Sequence, residues 1–217
     1  INTYDTKHTA SVKTLCLSTN ERAFSGGRDG QIFEWDRNQA DPCTSIALKK
    51  PATITSIVMP NDFMIISSSS NGDVACWDLR NSSRPLTILP LPDEIKGVGI
   101  TSMSLSHSKK MISTISTNNY VTVHKLDGEW GTITRKTSAM ESYYNKICFS
   151  PCDKYMLTGS YLGGLNIFPV NLKYEPIKLL EHSGPATCVD WDLDYDGSLM
   201  PPYKAEFYPF THLFLVS

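Results

Sequence analysis

A heptapeptide that returns at nearly constant spacing constrains this chain more than any other feature. Gly30-Gln-Ile-Phe-Glu-Trp35-Asp36 comes back 42 residues later as Gly72-Asp-Val-Ala-Cys-Trp77-Asp78. Looser copies follow: Asn119-Tyr-Val-Thr-Val-His124, 47 residues after Gly72, and Gly163-Gly-Leu-Asn-Ile-Phe168, a further 44 on. Two alternating, strand-like runs precede each copy, at 12–18 and 23–25, 54–58 and 64–69, 100–105 and 111–114, and 146–150 and 155–160. Period-two alternation with β-branched residues predicts strands. Asp29-Gly30, Asn71-Gly72 and Asn118-Asn119 tolerate positive φ, as tight hairpins between the second and third runs require. Pro51, Pro60, Pro90, Pro92, Pro151 and Pro176 punctuate the runs, and no amphipathic stretch reaches helical length. Each repeat reads strand, turn, strand, turn, strand, then a loop and one more strand. The expected class is all-β, built from units that bury their faces by stacking on one another.

A period of this length with Trp-Asp closing a strand is the signature of a WD-repeat β-propeller. Repeats are expected at 8–36, 53–78, 98–127 and 142–170, with an incomplete fifth from Glu181-His182 and a divergent tail at 197–217. The whole chain is then a single propeller domain of four to five blades, against a usual seven. In that architecture the Trp is wedged between blades, and its indole N–H enters a chain of Ser or Thr, His and a turn Asp. Trp35 has the full set in Ser25, His8 and Asp29; the second repeat keeps Ser67 beside Trp77, has Asn71 for the Asp, and has no His. His182 is expected to serve the fifth repeat in the same way. Trp191-Asp192 falls where a first strand belongs and is not a closing pair. An open array of this kind exposes apolar blade faces and strand edges at its ends.

Composition removes several function classes. With 20 Lys and Arg against 22 Asp and Glu, the net charge of −2 does not fit direct nucleic-acid binding by phosphate neutralisation. No run approaches the ~20 apolar residues that cross a bilayer, and the apolar segment 207–216 is interrupted by Pro209 and His212. No secretory leader is legible, and the opening Ile1 points to a fragment. The six cysteines form no CxxC pair, and four sit in apolar runs, which fits a reducing compartment. Cys16 and Cys148 share a strand position three repeats apart and read as core fillers. No HExxH or G-x-S-x-G is present, and the turn at 26–30 lacks the Lys-Ser/Thr of a phosphate loop. Asp192, Asp194, Asp196 and Gly197 imitate a calcium loop, but Tyr203 stands where its bidentate Glu belongs. The expectation is a chain that is not an enzyme and holds no metal or cofactor.

Trp77-Asp78-Leu79-Arg80 carries more information. Arg80 follows the closing strand, at an edge where a propeller meets partners, and a guanidinium offers a planar fork to carboxylates or carbonyls. This is the W-D-x-R pattern of receptors that dock on the DDB-type adaptor of cullin-4 RING ubiquitin ligases. The surrounding stretches at 11–15, 23–36, 72–81, 142–160 and 176–183 closely resemble blades of the denticleless family, a resemblance covering about residues 8–191. It implies a nuclear substrate receptor that binds replication and cell-cycle proteins on the PCNA clamp and reaches DNA only through it. It implies that Arg80 inserts into the adaptor while Trp77 and Asp78 fix its blade edge. In the preceding repeat, Trp35-Asp36-Arg37-Asn38, the fourth position is Asn38, and Arg37 is the candidate substitute. The alternative is a general WD-repeat scaffold of chromatin or ribosome-assembly complexes, whose partners would be indifferent to Arg80.

Overall fold

The computed structural model describes residues 7–18, 21–36, 38–39, 41–48, 52–127, 132–136, 146–159, 164–180, 186 and 188–191. These form sixteen strands and no helix. The first blade is β1 (Val12–Leu17), β2 (Arg22–Gly27), β3 (Gln31–Asp36) and β4 (Thr44–Ala47); the second is β5 (Ile54–Asn61), β6 (Met64–Ser69), β7 (Val74–Asp78) and β8 (Thr87–Ile88). The third is β9 (Ile100–Leu105), β10 (Met111–Ser116), β11 (Tyr120–Lys125) and β12 (Thr132–Lys136); the fourth is β13 (Ile147–Phe149), β14 (Tyr155–Gly159), β15 (Gly164–Pro169) and β16 (Ile177–Leu180). Each is an antiparallel meander whose strands pair in chain order. First strands of consecutive blades lie side by side, β1 by β5, β5 by β9 and β9 by β13, so the blades fan out from a common line. This is a partial WD-repeat propeller. Its fourth strands lie beyond the repeat limits drawn from the sequence, after residues 36, 78, 127 and 170.

Alternation along each strand gives every blade two apolar faces, and neighbouring blades close them. Phe24, Ile32 and Ile46 of the first blade pack on Ile54, Ile57, Ile65, Ala75 and Trp77 of the second. The opposite face of the second blade offers Ile66, Val74 and Cys76 to Ile100, Met103 and Ile112. The third and fourth blades join through Ile115, Val121 and Val123 against Ile147, Phe149, Met156 and Phe168. The outer face of the fourth blade, with Leu157, Leu165 and Ile167, is covered by Ala186, Val189 and Trp191. Trp191 lies outside any strand.

Serines on the first strands stitch the blades together. Ser56 Oγ accepts Met103 N–H at 3.1 Å, and Ser102 and Ser104 accept the N–H groups of Ile147 and Phe149 at 3.4 and 3.3 Å. Asp153 adds a clasp, its carboxylate taking His107 N–H at 2.6 Å and Ser108 N–H at 2.8 Å. The first strands also share an irregularity: Lys13, Thr55 and Thr101 are each skipped in the pairing register, a repeated bulge that strengthens local twist. A second bulge in β5 takes in Pro60, which the sequence places between strands; the missing N–H is tolerated because the ladder is already interrupted there.

The hairpin dipeptides act through their second residue alone. Gly30, Gly72 and Asn119 have φ of 76°, 92° and 69°, while their first residues do not enter that region. Each of these N–H groups closes a four-residue turn, as with Gly72 N–H to Ser69 O at 3.1 Å. This arrangement is a type I turn followed by a left-handed residue. At Gly72 the constraint is doubled, because a Cβ would lie 2.6 Å from Val98 O, backbone that leads into the third blade. Gly72→Ala is expected to cost about 2 kcal/mol or more, from left-handed strain plus displacement of that backbone. Urea unfolding checks this, and an unchanged midpoint counts against it.

Among the described residues no sheet packs on the near face of the first blade. Leu15 and Leu17 are 71% and 80% exposed, and with Val12, Ala23 and Trp35 they line a cavity of about 510 Å³.

Candidate functional site

Two polar constellations stand out, one in each of the first two blades. In the first, β2 carries Ser25 and β3 carries Trp35, while the turn between them carries Asp29. Trp35 Nε1–H donates to Ser25 Oγ at 2.8 Å, which leaves the Ser25 hydroxyl proton for His8 Nε2, also at 2.8 Å. His8 Nδ1–H therefore points at the Asp29 carboxylate, 3.0 and 3.1 Å away. The His8 and Asp29 side chains are 2% and 6% exposed. Burial pushes the Asp29 carboxyl up, but Gln31 N–H, the His8 ring and Thr9 N–H outweigh it, and its pKa lies below the usual value. The His8 ring also meets Phe33 edge-on at 4.6 Å. Gly27 makes room for this histidine, since a Cβ there would lie 2.5 Å from His8 Nδ1.

Blades two and three fill the same room differently. Ser69 and Ser116 stand where the first blade has Gly27. Ser69 Oγ bonds Asn71 Oδ1, and Ser116 Oγ donates to Asn118 Oδ1 at 2.7 Å. Asn71 is thus committed within its own turn, accepting Asp73 N–H at 3.2 Å, and does not join Ser67. Trp77 Nε1–H donates to Ser67 Oγ at 2.8 Å, and that tryptophan is 1% exposed. Ten residues separate Ser25 from Trp35 and Ser67 from Trp77. The same interval places Thr114 beside His124 and Thr158 beside Phe168 in the later blades.

The second constellation sits at the surface where β7 ends. Arg80 Nε and Nη2 donate to the two oxygens of Asp78 at 2.9 and 2.8 Å, and Arg80 N–H adds a third bond to Asp78 Oδ1 at 3.0 Å. The side-chain hydrogen bond from Arg80, then its backbone bond and its charge, draw the Asp78 pKa down to about 2. Asp78 in turn raises that of Arg80. The Arg80 side chain is 69% exposed, and its Cζ lies 5.3 Å from the centre of the Phe63 ring. Trp77 points into the blade interface and presents nothing to a partner, whereas Asp78 and Arg80 stand at the exposed end of the same strand. Asn38, in the corresponding place of the first blade, donates its N–H to Asp36 Oδ1 at 2.8 Å.

Arg37, His182 and the acidic run 192–197 lie outside the described residues, as does the tail at 197–217. The cysteines are free thiols; burial pushes Cys16 up, Cys76 up to about 12, and Cys148 higher still, with Asp190 and Cys188 adding to the last. Such thiols are not nucleophiles at neutral pH. Among the described residues no three His, Cys, Asp or Glu side chains gather as a metal site would require. Sequence reasoning missed Phe63 and the serine stitches. The stitches left a signal, because Ile-Thr-Ser stands at both 54–56 and 100–102.

Four meandering sheets stacked face to face, with an indole, serine, histidine and aspartate joined in the first, define a WD-repeat propeller protein. Residues 1–36 match the family model described as WD domain, G-beta repeat. Among such proteins the chain is similar to those named denticleless. It is 25% identical to protein lethal(2)denticleless of Drosophila melanogaster, over 87% of this chain and 30% of that protein. It is 24% identical to the denticleless protein homolog of Danio rerio, over 85% of this chain and 35% of that one. Autophagy-related protein 16 of Arabidopsis thaliana is also 24% identical, over 86% of this chain and 36% of that protein. The chain spans about a third of the length of the curated relatives it matches.

Proposed function

We propose that this chain is a non-catalytic interaction scaffold and belongs to the substrate receptor of a cullin-4 RING ubiquitin ligase, acting in the nucleus. The observation that carries the reading is Arg80, held out from the end of β7 within Trp77-Asp78-Leu79-Arg80. Similarity to the denticleless proteins supports it. A receptor of this kind does no chemistry. It binds the adaptor on one side and PCNA-associated replication and cell-cycle proteins on another, raising substrate concentration near the conjugating arm.

Co-purification with the DDB-type adaptor tests the proposal. Arg80→Ala is expected to abolish capture while leaving the melting temperature unchanged, because the side chain is exposed and its ion pair is a surface one. Undiminished capture by the variant overturns the reading. The second reading, a general WD-repeat scaffold of chromatin or ribosome-assembly complexes, draws on the equal similarity to a protein outside the denticleless group. It is favoured if the chain's partners are the same with and without Arg80.

A further inference from the structure

The turn between β5 and β6 sets an aromatic ring against the arginine. Phe63 N–H donates to Asn61 Oδ1 at 3.0 Å, and Leu79 N–H donates to Phe63 O at 2.8 Å, so both flanks of the turn are tied down. Phe63 is nevertheless 55% exposed. The guanidinium carbon lies 5.3 Å from the centre of its ring, and one edge of the guanidinium is held by Asp78. A guanidinium held along one edge by a carboxylate and lying near a ring loses little further freedom when a partner arrives. Two of its five N–H groups serve Asp78, which leaves three to donate. Its charge is already met, and the two connections concerned add one further charge of each sign, Asp62 and Arg84. A carboxylate on the partner would therefore find no net positive field here. Carbonyl oxygens beside apolar surface would find both donors and the open face of a ring.

We propose that Phe63 and Arg80 form one docking element, in which the ring and the Asp78-neutralised guanidinium seat an uncharged, apolar, carbonyl-presenting face of the adaptor. The proposal rests on the reading that Arg80 is the adaptor contact.

Binding of the full chain to immobilised, purified adaptor at about 50 and 500 mM salt provides the test. Arg80→Ala and Phe63→Ala are each expected to weaken binding by about tenfold or more, as a central aromatic or arginine anchor does. Phe63→Leu, which keeps apolar area and fold but removes the ring face, should lose about threefold. Wild-type affinity should change by less than about threefold between the two salts, and Asp78→Asn, which exposes the arginine's charge, should steepen that dependence. Phe63→Ala and Phe63→Leu both binding like wild type while Arg80→Ala fails overturns this proposal and leaves the receptor reading standing. A wild-type salt dependence as steep as that of Asp78→Asn overturns the uncharged partner face. Full binding by Arg80→Ala overturns the receptor reading itself.

Discussion

Trp77→Ala is expected to destabilise the chain by about 3–5 kcal/mol, the range for emptying a large aromatic site in a core. Trp77 is 1% exposed and packs among Ile54, Ile57, Ile65 and Ala75 of its own blade and Phe24, Ile32 and Ile46 of the blade before. Its removal opens a cavity between two sheets whose backbones are pinned by separate ladders, so the gap cannot close. It also takes the indole proton from Ser67, itself 1% exposed. Trp77→Phe separates the two losses: most of the ring volume stays, and the missing hydrogen bond costs about 1 kcal/mol. Trp35→Ala is the control. Trp35 occupies the same place in the first blade but is only half-buried and lines the open cavity there, so less packing is lost. Urea unfolding of the three variants checks the order. Equal losses for Trp77→Ala and Trp35→Ala would show that the two faces are closed alike.

The contrast between these tryptophans shows which links were readable from sequence. Ser25 and Trp35 meet because an antiparallel hairpin with a fixed turn sets their register, and that register follows from Asp29-Gly30 and the alternation around it. His8 joins them because Gly27 leaves space, and a glycine before Arg28-Asp29 is visible in the sequence. Covering of faces is a different matter. Trp35 and Trp77 stand at the same place in their repeats, each ten residues after its serine and just before an Asp, yet Trp77 is packed against the sheet of the first blade while Trp35 is half-buried beside a cavity. Phe63 was illegible for a related reason: it lies in a turn of Asn and Asp, outside any period, and gains meaning only from a strand eleven to fifteen residues later folding beside it, with Arg80 at its end. The same holds for Asp78, which reads as half of a Trp-Asp pair and in the structure binds its near neighbour Arg80 through two oxygens.

Replacement of tryptophan by histidine in the third blade has an acid-stability consequence. His124 is 0% exposed on β11, paired across the ladder with Ile112, and faces the second blade. Burial depresses its pKa from 6.5 to about 4. Above pH 6.5 both folded and unfolded chains hold the ring neutral, and its full contribution to stability is present. Between pH 6.5 and 4 the unfolded chain takes up a proton that the folded chain refuses, so stability falls with pH, by about 1.4 kcal/mol per unit and about 3 kcal/mol in all. Unfolding free energies at pH 7.5 and pH 5 should thus differ by about 2 kcal/mol from this one residue. His124→Phe places there the residue that the fourth blade already uses, Phe168, which is fully buried in its own sheet. The variant should flatten the loss between those pH values while keeping the neutral-pH fold. A variant that loses stability with acid as steeply as the wild type would assign the proton to another group. The flattening, if seen, explains how a propeller blade tolerates histidine at the tryptophan position at neutral pH: the ring is held there uncharged, and its protonation is what acid adds to the cost.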